Sequence, residues 1–170
     1  MILRGRALVF GDDISTDQII PGKYLKLNEA QAAAHVMEGI DPTFASRVRK
    51  GDLLVAGKNF GAGSSREYAA SALRLAGISA VIAPFFARIF FRNAINQGLS
   101  VFECAEAGRI HEGDELEVDV AQGTVRDVTQ GLELSATKLP PHILELIEAG
   151  GMVPWLERWL ARKAAAGRTG

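Results

Sequence analysis

Cysteine is almost absent from this 170-residue sequence, which contains only Cys104. A single cysteine excludes an internal disulfide, and it cannot by itself hold a zinc ion or an iron–sulfur cluster. Any such metal would therefore have to be bound largely by another chain. Because Cys104 closely follows the apolar pair Val101 and Phe102, we expect its thiol to pack at the end of a strand.

Long apolar runs and an excess of charge of one sign are also missing. No run approaches the length needed to span a bilayer, and the amino terminus has neither the apolar core nor the small-residue cleavage site of a secretory leader. The formal net charge is −1, with acidic and basic residues interspersed, which indicates neither a nucleic-acid groove nor a membrane-surface patch. These features predict a cytoplasmic protein that binds neither nucleic acid nor membrane.

The residues that are present predict one folded domain. Hydrophobic residues make up 48% of the sequence, and its length allows a substantial core. We assign residues 1–163 to a single domain and residues 164–170 to a flexible tail.

The predicted elements indicate an α/β fold with two kinds of sheet. After a first strand at Ile2–Phe10, strands alternate with helices, and such units make neighbouring strands parallel. After Asp114 the sequence alternates polar and apolar residues around tight turns, which indicates an antiparallel sheet. The remaining predicted strands are Leu53–Ala56, Ser79–Ala83, Leu99–Phe102, Glu115–Val120, Thr124–Val128 and Leu132–Ser135. The predicted helices are Glu29–Gly39, Ser64–Ala76, Phe85–Gln97, Pro141–Ala149 and Val153–Lys163.

The most informative stretch is the glycine-rich turn between the strand Leu53–Ala56 and the helix that follows it. Gly61 and Gly63 remove side chains where a ligand could approach the backbone. The start of a helix adds unpaired N–H groups and a partial positive charge. We therefore expect an anion to bind in this turn.

The residues after the glycines supply side chains for such a site. Ser64 and Ser65 carry hydroxyls, and Arg66 carries a planar fork that can donate two parallel hydrogen bonds to a carboxylate. A purely structural interpretation is also open, because Ser64 and Glu67 have the spacing of a capping box. The Rossmann fingerprint, the phosphate-loop ending and the nucleophile elbow are not matched.

Two polar segments precede this turn in the chain. Thr16 and Asp17 lie in the first loop, where an Asx-type turn is the ordinary interpretation. An exposed loop follows, with the cations Lys23 and Lys26 on either side of Tyr24 and Leu25.

Three motifs, at residues 11–21, 57–67 and 87–93, carry a resemblance that covers nearly the whole chain. With them the sequence resembles the small subunits of the isopropylmalate dehydratase and homoaconitase group, which are equivalent to the swivel domain of aconitase. The resemblance implies a three-layer β/β/α swivelling fold of aconitase type, with one parallel and one antiparallel sheet.

The same resemblance implies an activity, a cofactor and a partner. The activity is the isomerisation of a hydroxy acid by dehydration and rehydration, carried out only together with a large subunit. That subunit is implied to carry a 4Fe–4S cluster on three cysteines, so this chain would bind no metal of its own. Association of this chain with itself in isolation stays open.

Residue roles follow from the resemblance position by position. Ser64 is similar to the serine that takes the proton from carbon, and Asp17 is similar to the acidic active-site residue of a Thr-Asp motif. Arg66 and Ser65 resemble its partners in substrate contact, and Gly63 adds the backbone beside them. A serine can act as a base only if a nearby cation and helix-terminal N–H groups hold its alkoxide, and Arg66 could serve that purpose or bind substrate carboxylate.

The loop after the Thr-Asp motif, Tyr24-Leu25-Lys26-Leu27, is implied to choose the substrate, chiefly through Tyr24, Lys26 and Leu27. Lys26 stands where homoaconitase-type subunits have an arginine for a distal carboxylate, whereas Leu27 could cover an alkyl group. Two positions depart from the family pattern, with Ala62 where cysteine is frequent and Tyr68 where histidine is usual.

The first expectation is therefore a 3-isopropylmalate-type hydro-lyase subunit of leucine biosynthesis. A homoaconitase-type subunit of lysine biosynthesis and an alkylmalate- or methylaconitate-type dehydratase subunit are the enzyme alternatives. A non-catalytic, anion-binding swivel module is the alternative outside enzymes.

Overall fold

Within residues 1–167, which the computed structural model describes, seven strands form one mixed sheet. The strands are β1 (Ile2–Val9), β2 (Leu53–Val55), β3 (Ala80–Ala83), β4 (Ser100–Glu103), β5 (Glu115–Asp119), β6 (Thr124–Asp127) and β7 (Leu132–Ser135). Their order across the sheet is β4-β3-β2-β1-β5-β6-β7. Strands β1 to β4 pair in parallel, whereas β5, β6 and β7 extend the sheet from β1 by antiparallel pairing.

The long strand β1 joins the two kinds of pairing. Its residues 7–9 pair in parallel with residues 53–55 of β2, and its residues 2–6 pair antiparallel with residues 115–119 of β5. The predicted parallel and antiparallel regions are therefore confirmed. They share one strand because β1 is long enough to use a different half for each neighbour.

Helices connect the parallel strands and cover them. The helices of residues 1–167 are α1 (Thr16–Ile19), α2 (Glu29–Ala33), α3 (Phe44–Arg47), α4 (Glu67–Ala76), α5 (Arg88–Asn96), α6 (Pro141–Ala149) and α7 (Met152–Ala166). Helix α4 contacts α1, α2 and α5, and strands β2 and β3 are buried along their whole length. In this part of the chain no helix combines the length and the apolar composition needed to cross a membrane.

Several helices differ from their predicted bounds. The helix predicted for residues 29–39 ends at Ala33, because Met37 takes a left-handed backbone conformation (φ +61°) and bonds its N–H to the carbonyl of Ile19. The helix predicted from residue 85 begins at Arg88, because Ala87 instead bonds its N–H to a carbonyl of the loop after β2.

The last helix also differs from its prediction. Helix α7 continues to Ala166, so the predicted boundary after residue 163 falls inside a helix, and residues 168–170 of the predicted tail lie outside the described residues. Trp155 packs partly against the core, as a docking residue would. Trp159 stacks on Trp155 and stays 39% exposed.

An aromatic cluster leaves no room for a side chain at Gly61. The ring of Phe60 lies edge-on to Phe86 and to Phe90, with centroid distances of 6.2 and 5.1 Å. A Cβ atom on Gly61 would lie 2.3 Å from the Cβ of Phe90, and the φ angle of this glycine is +84°. Gly61 is therefore required for packing, which corrects the expectation that it opens the backbone to a ligand.

Replacing Gly61 by alanine is expected to lower the free energy of unfolding by about 3 kcal/mol, from a disfavoured left-handed backbone and an overpacked core. Urea denaturation followed by circular dichroism measures the change. Gly108→Ala is the matched control, because a Cβ there has no atom within 4 Å and no left-handed φ to adopt. Equal stability of Gly61→Ala and Gly108→Ala would contradict the packing role.

Candidate active site

Two loops leave the carboxyl ends of the neighbouring strands β1 and β2 and stay hydrogen-bonded to each other. Their backbone bonds continue the pairing of the sheet past the ends of the strands. The bonds join the N–H of Gly57 to the carbonyl of Gly11 (2.9 Å), Asp13 to Lys58 (2.8 Å), Gly61 to Ile14 (2.7 Å) and Thr16 to Ala62 (2.8 Å). The first and second motifs of the sequence are thereby held side by side.

Unusual backbone conformations occur where the two loops meet. Asp13 and Asn59 have φ angles of +55° and +60°, and the Asn59 amide donates to the Asp13 carboxylate at 3.2 Å. Next to them, the backbone of Gly57 approaches Asp12 so closely that an added Cβ would lie 1.9 Å from a carboxylate oxygen. Sparsely populated conformations persist only where the surroundings impose them, and they concentrate at functional sites.

A short capped helix positions Thr16 and Asp17. Ser15 and Gln18 form a reciprocal capping box at the start of α1, so the Asx-turn interpretation of the Thr-Asp pair is wrong. Thr16 is buried, and its hydroxyl donates to the carbonyl of Ser64 at 3.2 Å. The hydroxyls of Thr16 and Ser64 lie 3.5 Å apart. Thr16 thus ties the first loop to the serine turn.

Arg66 and Asp17 form an ion pair across the two loops. Nη1 of Arg66 donates to Oδ1 of Asp17 at 2.6 Å and to the carbonyl of Ile20 at 3.2 Å, and the N–H of Gly22 donates to the same carboxylate oxygen at 3.3 Å. The hydrogen bond from Arg66 is the main cause that lowers the pKa of the Asp17 carboxyl. Asp17 is therefore ionised at neutral pH and fixes the direction of the guanidinium.

The serine turn is open and does not cap the helix behind it. Gly63, Ser64 and Ser65 are exposed. Helix α4 begins at Glu67, and its first cap residue, Arg66, makes no side-chain capping bond. The capping-box interpretation of Ser64 is therefore wrong, and its hydroxyl is reachable from outside the fold.

A hollow of about 420 Å³ adjoins the arginine and is lined by Leu25, Ser65, Arg66, Glu67 and Tyr68. Leu25 contributes an apolar wall from the loop of residues 24–27, whereas Leu27 does not line the hollow. Leu27 packs partly against the core, and its carbonyl accepts a hydrogen bond from the Tyr68 hydroxyl at 3.3 Å. Lys26 is exposed.

Tyr24 is engaged within the protein. Its hydroxyl donates to Glu38 at 2.9 Å, and its ring stacks on His35 with centroids 3.9 Å apart. The predicted residues Asp17 and Ser65 therefore lie beside Arg66, whereas the side chain of Tyr24 faces the segment after α2. A substrate contact of Tyr24 or Leu27 stays a prediction.

Sequence reasoning gave no role to two residues of this site, and it named a third, Leu25, only as a member of the loop that the resemblance implies to choose the substrate. The buried bond of Thr16 to the serine turn left no trace in spacing. Tyr68 was noted only as a departure from the family pattern. Their positions depend on contacts between segments about 40 residues apart or more.

Comparisons of the sequence and of the structure with known proteins lead to one family. The model of the family described as the aconitase C-terminal domain matches residues 13–107, which include both loops of the site. The chain is 56% identical over 150 residues to 3-isopropylmalate dehydratase small subunit 1 of Archaeoglobus fulgidus, covering 88% of this chain and 93% of that protein. It is 50% identical over 160 residues to the 3-isopropylmalate dehydratase small subunit of Moorella thermoacetica, covering 93% and 96%.

A solved structure matches over the full length of both chains. The crystal structure of 3-isopropylmalate dehydratase from Methanocaldococcus jannaschii has a TM-score of 0.91 and 42% identity to this chain. The predicted fold class is thereby confirmed.

Replacing Arg66 by glutamine is expected to raise the pKa of the Asp17 carboxyl toward its ordinary value of 3.8, because the charged donor is removed. A carboxyl with a lowered pKa keeps its ion pair at neutral pH and loses it only as the pH falls through that lowered value. An NMR titration of the Asp17 carboxyl carbon between about pH 2 and 6 measures the shift.

The control for this titration is Arg74→Gln, which removes an exposed arginine from the same helix. It should leave the Asp17 titration as in the unmodified protein. If Arg66→Gln also leaves it unchanged, the ion pair does not form in solution.

Proposed function

This chain belongs to the aconitase C-terminal domain family, and we propose that it is the small subunit of a 3-isopropylmalate dehydratase. Such an enzyme is a hydro-lyase of leucine biosynthesis, and this chain is active in it only together with a large subunit. The observation that carries the proposal is the reachable Ser64 hydroxyl beside the Arg66–Asp17 ion pair, in a chain about half identical to subunits of that name.

The residues of this chain do not fit the iron–sulfur cluster of the aconitase family. Its single thiol, Cys104, is buried directly after β4, where the sequence predicted it, and burial raises the pKa of that thiol. Within residues 1–167, no three side chains of the metal-binding types converge. We therefore place the cluster on the large subunit. A cytoplasmic location is proposed as well, because an unpaired thiol is usual in a reducing compartment.

Ser64 is assigned the role of the base that takes a proton from carbon. Its Oγ is exposed and lies 3.5 Å from the hydroxyl of Thr16, whose other contact is with the carbonyl of Ser64. The hydroxyl thus belongs to an exposed residue that lies beside Thr16 at the edge of the sheet. A second subunit can present the substrate to it there.

Arg66 is assigned to the substrate carboxylate. Its Nη1 is taken by Asp17 and Ile20, while its Nε and Nη2 make no hydrogen bond within residues 1–167. Those two donors are the ones that an incoming carboxylate can accept from. Because the Asp17 ion pair already orients the guanidinium, little side-chain freedom is lost when the substrate binds.

Leu25 favours an alkyl-bearing substrate over one with a third carboxylate. It is 38% exposed and forms a wall of the hollow beside Ser65 and Arg66, where an isopropyl group could displace water. Lys26 keeps the homoaconitase-type alternative as a second candidate, because its exposed ammonium lies next in the same loop.

Ser64→Ala is expected to lower kcat about a thousandfold while the complex with the large subunit still assembles, because a general base is lost from an exposed position. Arg66→Lys is expected to raise KM about tenfold or more, since lysine cannot make the bidentate contact. Hydration of isopropylmaleate, followed by loss of alkene absorbance, measures both, and size-exclusion chromatography confirms assembly.

The matched control for these variants is Ser135→Ala, an exposed serine of β7, which should turn over as the unmodified complex does. An assembled Ser64→Ala complex with unchanged turnover would refute the catalytic role. It would support the non-catalytic anion-binding module instead.

Leu25→Ala is expected to lower kcat/KM for isopropylmalate about tenfold, because most of an apolar side chain is removed from the hollow. Lys26→Ala should change it less than about twofold, since an alkyl group makes no use of the ammonium. Steady-state kinetics with isopropylmalate and with homoaconitate measure both variants. The reverse pattern, with Lys26 essential for homoaconitate turnover, would favour the homoaconitase-type assignment.

A further inference from the structure

Three side chains outside the hollow, those of Tyr24, His35 and Glu38, meet at the start of the loop that carries Leu25. The Tyr24 hydroxyl donates to one oxygen of Glu38 at 2.9 Å, and Nδ1 of His35 lies 2.8 Å from the other oxygen. The rings of Tyr24 and His35 are nearly parallel, at an interplanar angle of 6°. Each of the three residues therefore contacts both others.

Lys23 completes this group from the loop itself. Its ammonium lies over the Tyr24 ring, 4.9 Å from the centroid. The pKa of the Glu38 carboxyl is lowered, mainly by the hydrogen bond from Tyr24 and next by the hydrogen bond from His35. Glu38 is therefore a carboxylate at neutral pH and accepts both bonds.

The segment that carries His35 and Glu38 is anchored in the core. Met37 is fully buried, and its N–H donates to the carbonyl of Ile19 at 2.7 Å. Helix α2, just before His35, packs on α4, and its residues Ala32 and Ala33 are buried. His35 and Glu38 thus belong to a segment that the core holds in place.

The far side of the loop is held independently. The Tyr68 hydroxyl donates to the carbonyl of Leu27 at 3.3 Å, and Tyr68 lies on α4. Leu25 and Lys26, the two residues between these attachment points, are both exposed. The loop therefore has a fixed start and a fixed end around its two exposed side chains.

We infer that His35 and Glu38 are positioning residues, which act through Tyr24 to hold Leu25 against the hollow and so set which alkyl group the enzyme accepts. The inference rests on the proposed function for its kinetic consequence. The clamp itself, defined as Tyr24, His35 and Glu38, is a property of the isolated chain.

The first test is hydrogen exchange of the isolated chain, followed by mass spectrometry of peptides that contain residues 22–27. Glu38→Ala removes both hydrogen bonds and should speed exchange of this loop about tenfold, without changing exchange in β2 and β3. Tyr24→Phe removes only the hydroxyl and keeps the ring, so it remains informative if Glu38→Ala does not fold. Unchanged loop exchange in Tyr24→Phe and in a folded Glu38→Ala would overturn the clamp.

The second test uses the complex with the large subunit and two substrates that differ only in the alkyl group, isopropylmalate and the methyl analogue. Glu38→Ala and Tyr24→Phe should raise KM for isopropylmalate about fivefold or more, leave kcat within about twofold, and reduce the preference for isopropyl over methyl. A purely structural role would lower stability and leave that preference as it was. Faster loop exchange with an unchanged preference would overturn the positioning role.

Glu133→Ala is the matched control in both tests, because it removes an exposed glutamate from β7 in the antiparallel half of the sheet. It should change neither loop exchange nor substrate preference. Absence of turnover in the unmodified complex would count against the proposed function, while the exchange result would still decide whether the clamp exists.

Discussion

Hydrogen bonding between two loops is the constraint on which the rest of the candidate site depends. Strands β1 and β2 are parallel neighbours, so the loops that follow them leave the sheet at the same edge. Their backbone bonds continue for several residues past the strands and bring Thr16 within 3.2 Å of the carbonyl of Ser64, 48 positions further along the chain. The left-handed conformations of Asp13 and Asn59 occur where the loops pair, and the Thr16 hydroxyl ties the serine turn to the first loop.

The ion pair between Arg66 and Asp17 orients the guanidinium at this edge of the sheet. One nitrogen of the guanidinium is held by the carboxylate, and the rest of the fork is left for a ligand. The side chain of Arg66 is 24% exposed, so it is partly shielded from water yet reachable from the open face. Such an arrangement suits half of an active site, and we propose that the other half lies on the large subunit.

The loop that we propose selects the substrate is held in a different way. The loop that carries Leu25 and Lys26 has only a three-residue 3-10 helix and local backbone bonds of its own, and side-chain contacts at its two ends attach it to the rest of the fold. Few backbone bonds make such a segment easy to change without disturbing the sheet or the Arg66–Asp17 pair. The paired loops around Ser64 and Arg66 are thus structurally separate from the loop that we propose selects the substrate, so one could change without the other.

The sequence by itself determined the α/β class, the division between parallel and antiparallel strands, and the serine–arginine turn as the most informative motif. These follow from local periodicity, turn residues and three contiguous motifs. Only the tertiary structure decided that Gly61 serves the packing of Phe90, that Ser15 rather than Ser64 caps a helix, and that Leu25 rather than Leu27 faces the hollow. Each of these outcomes depends on a contact between segments distant in sequence, and spacing along one segment does not encode which distant residue will lie against it.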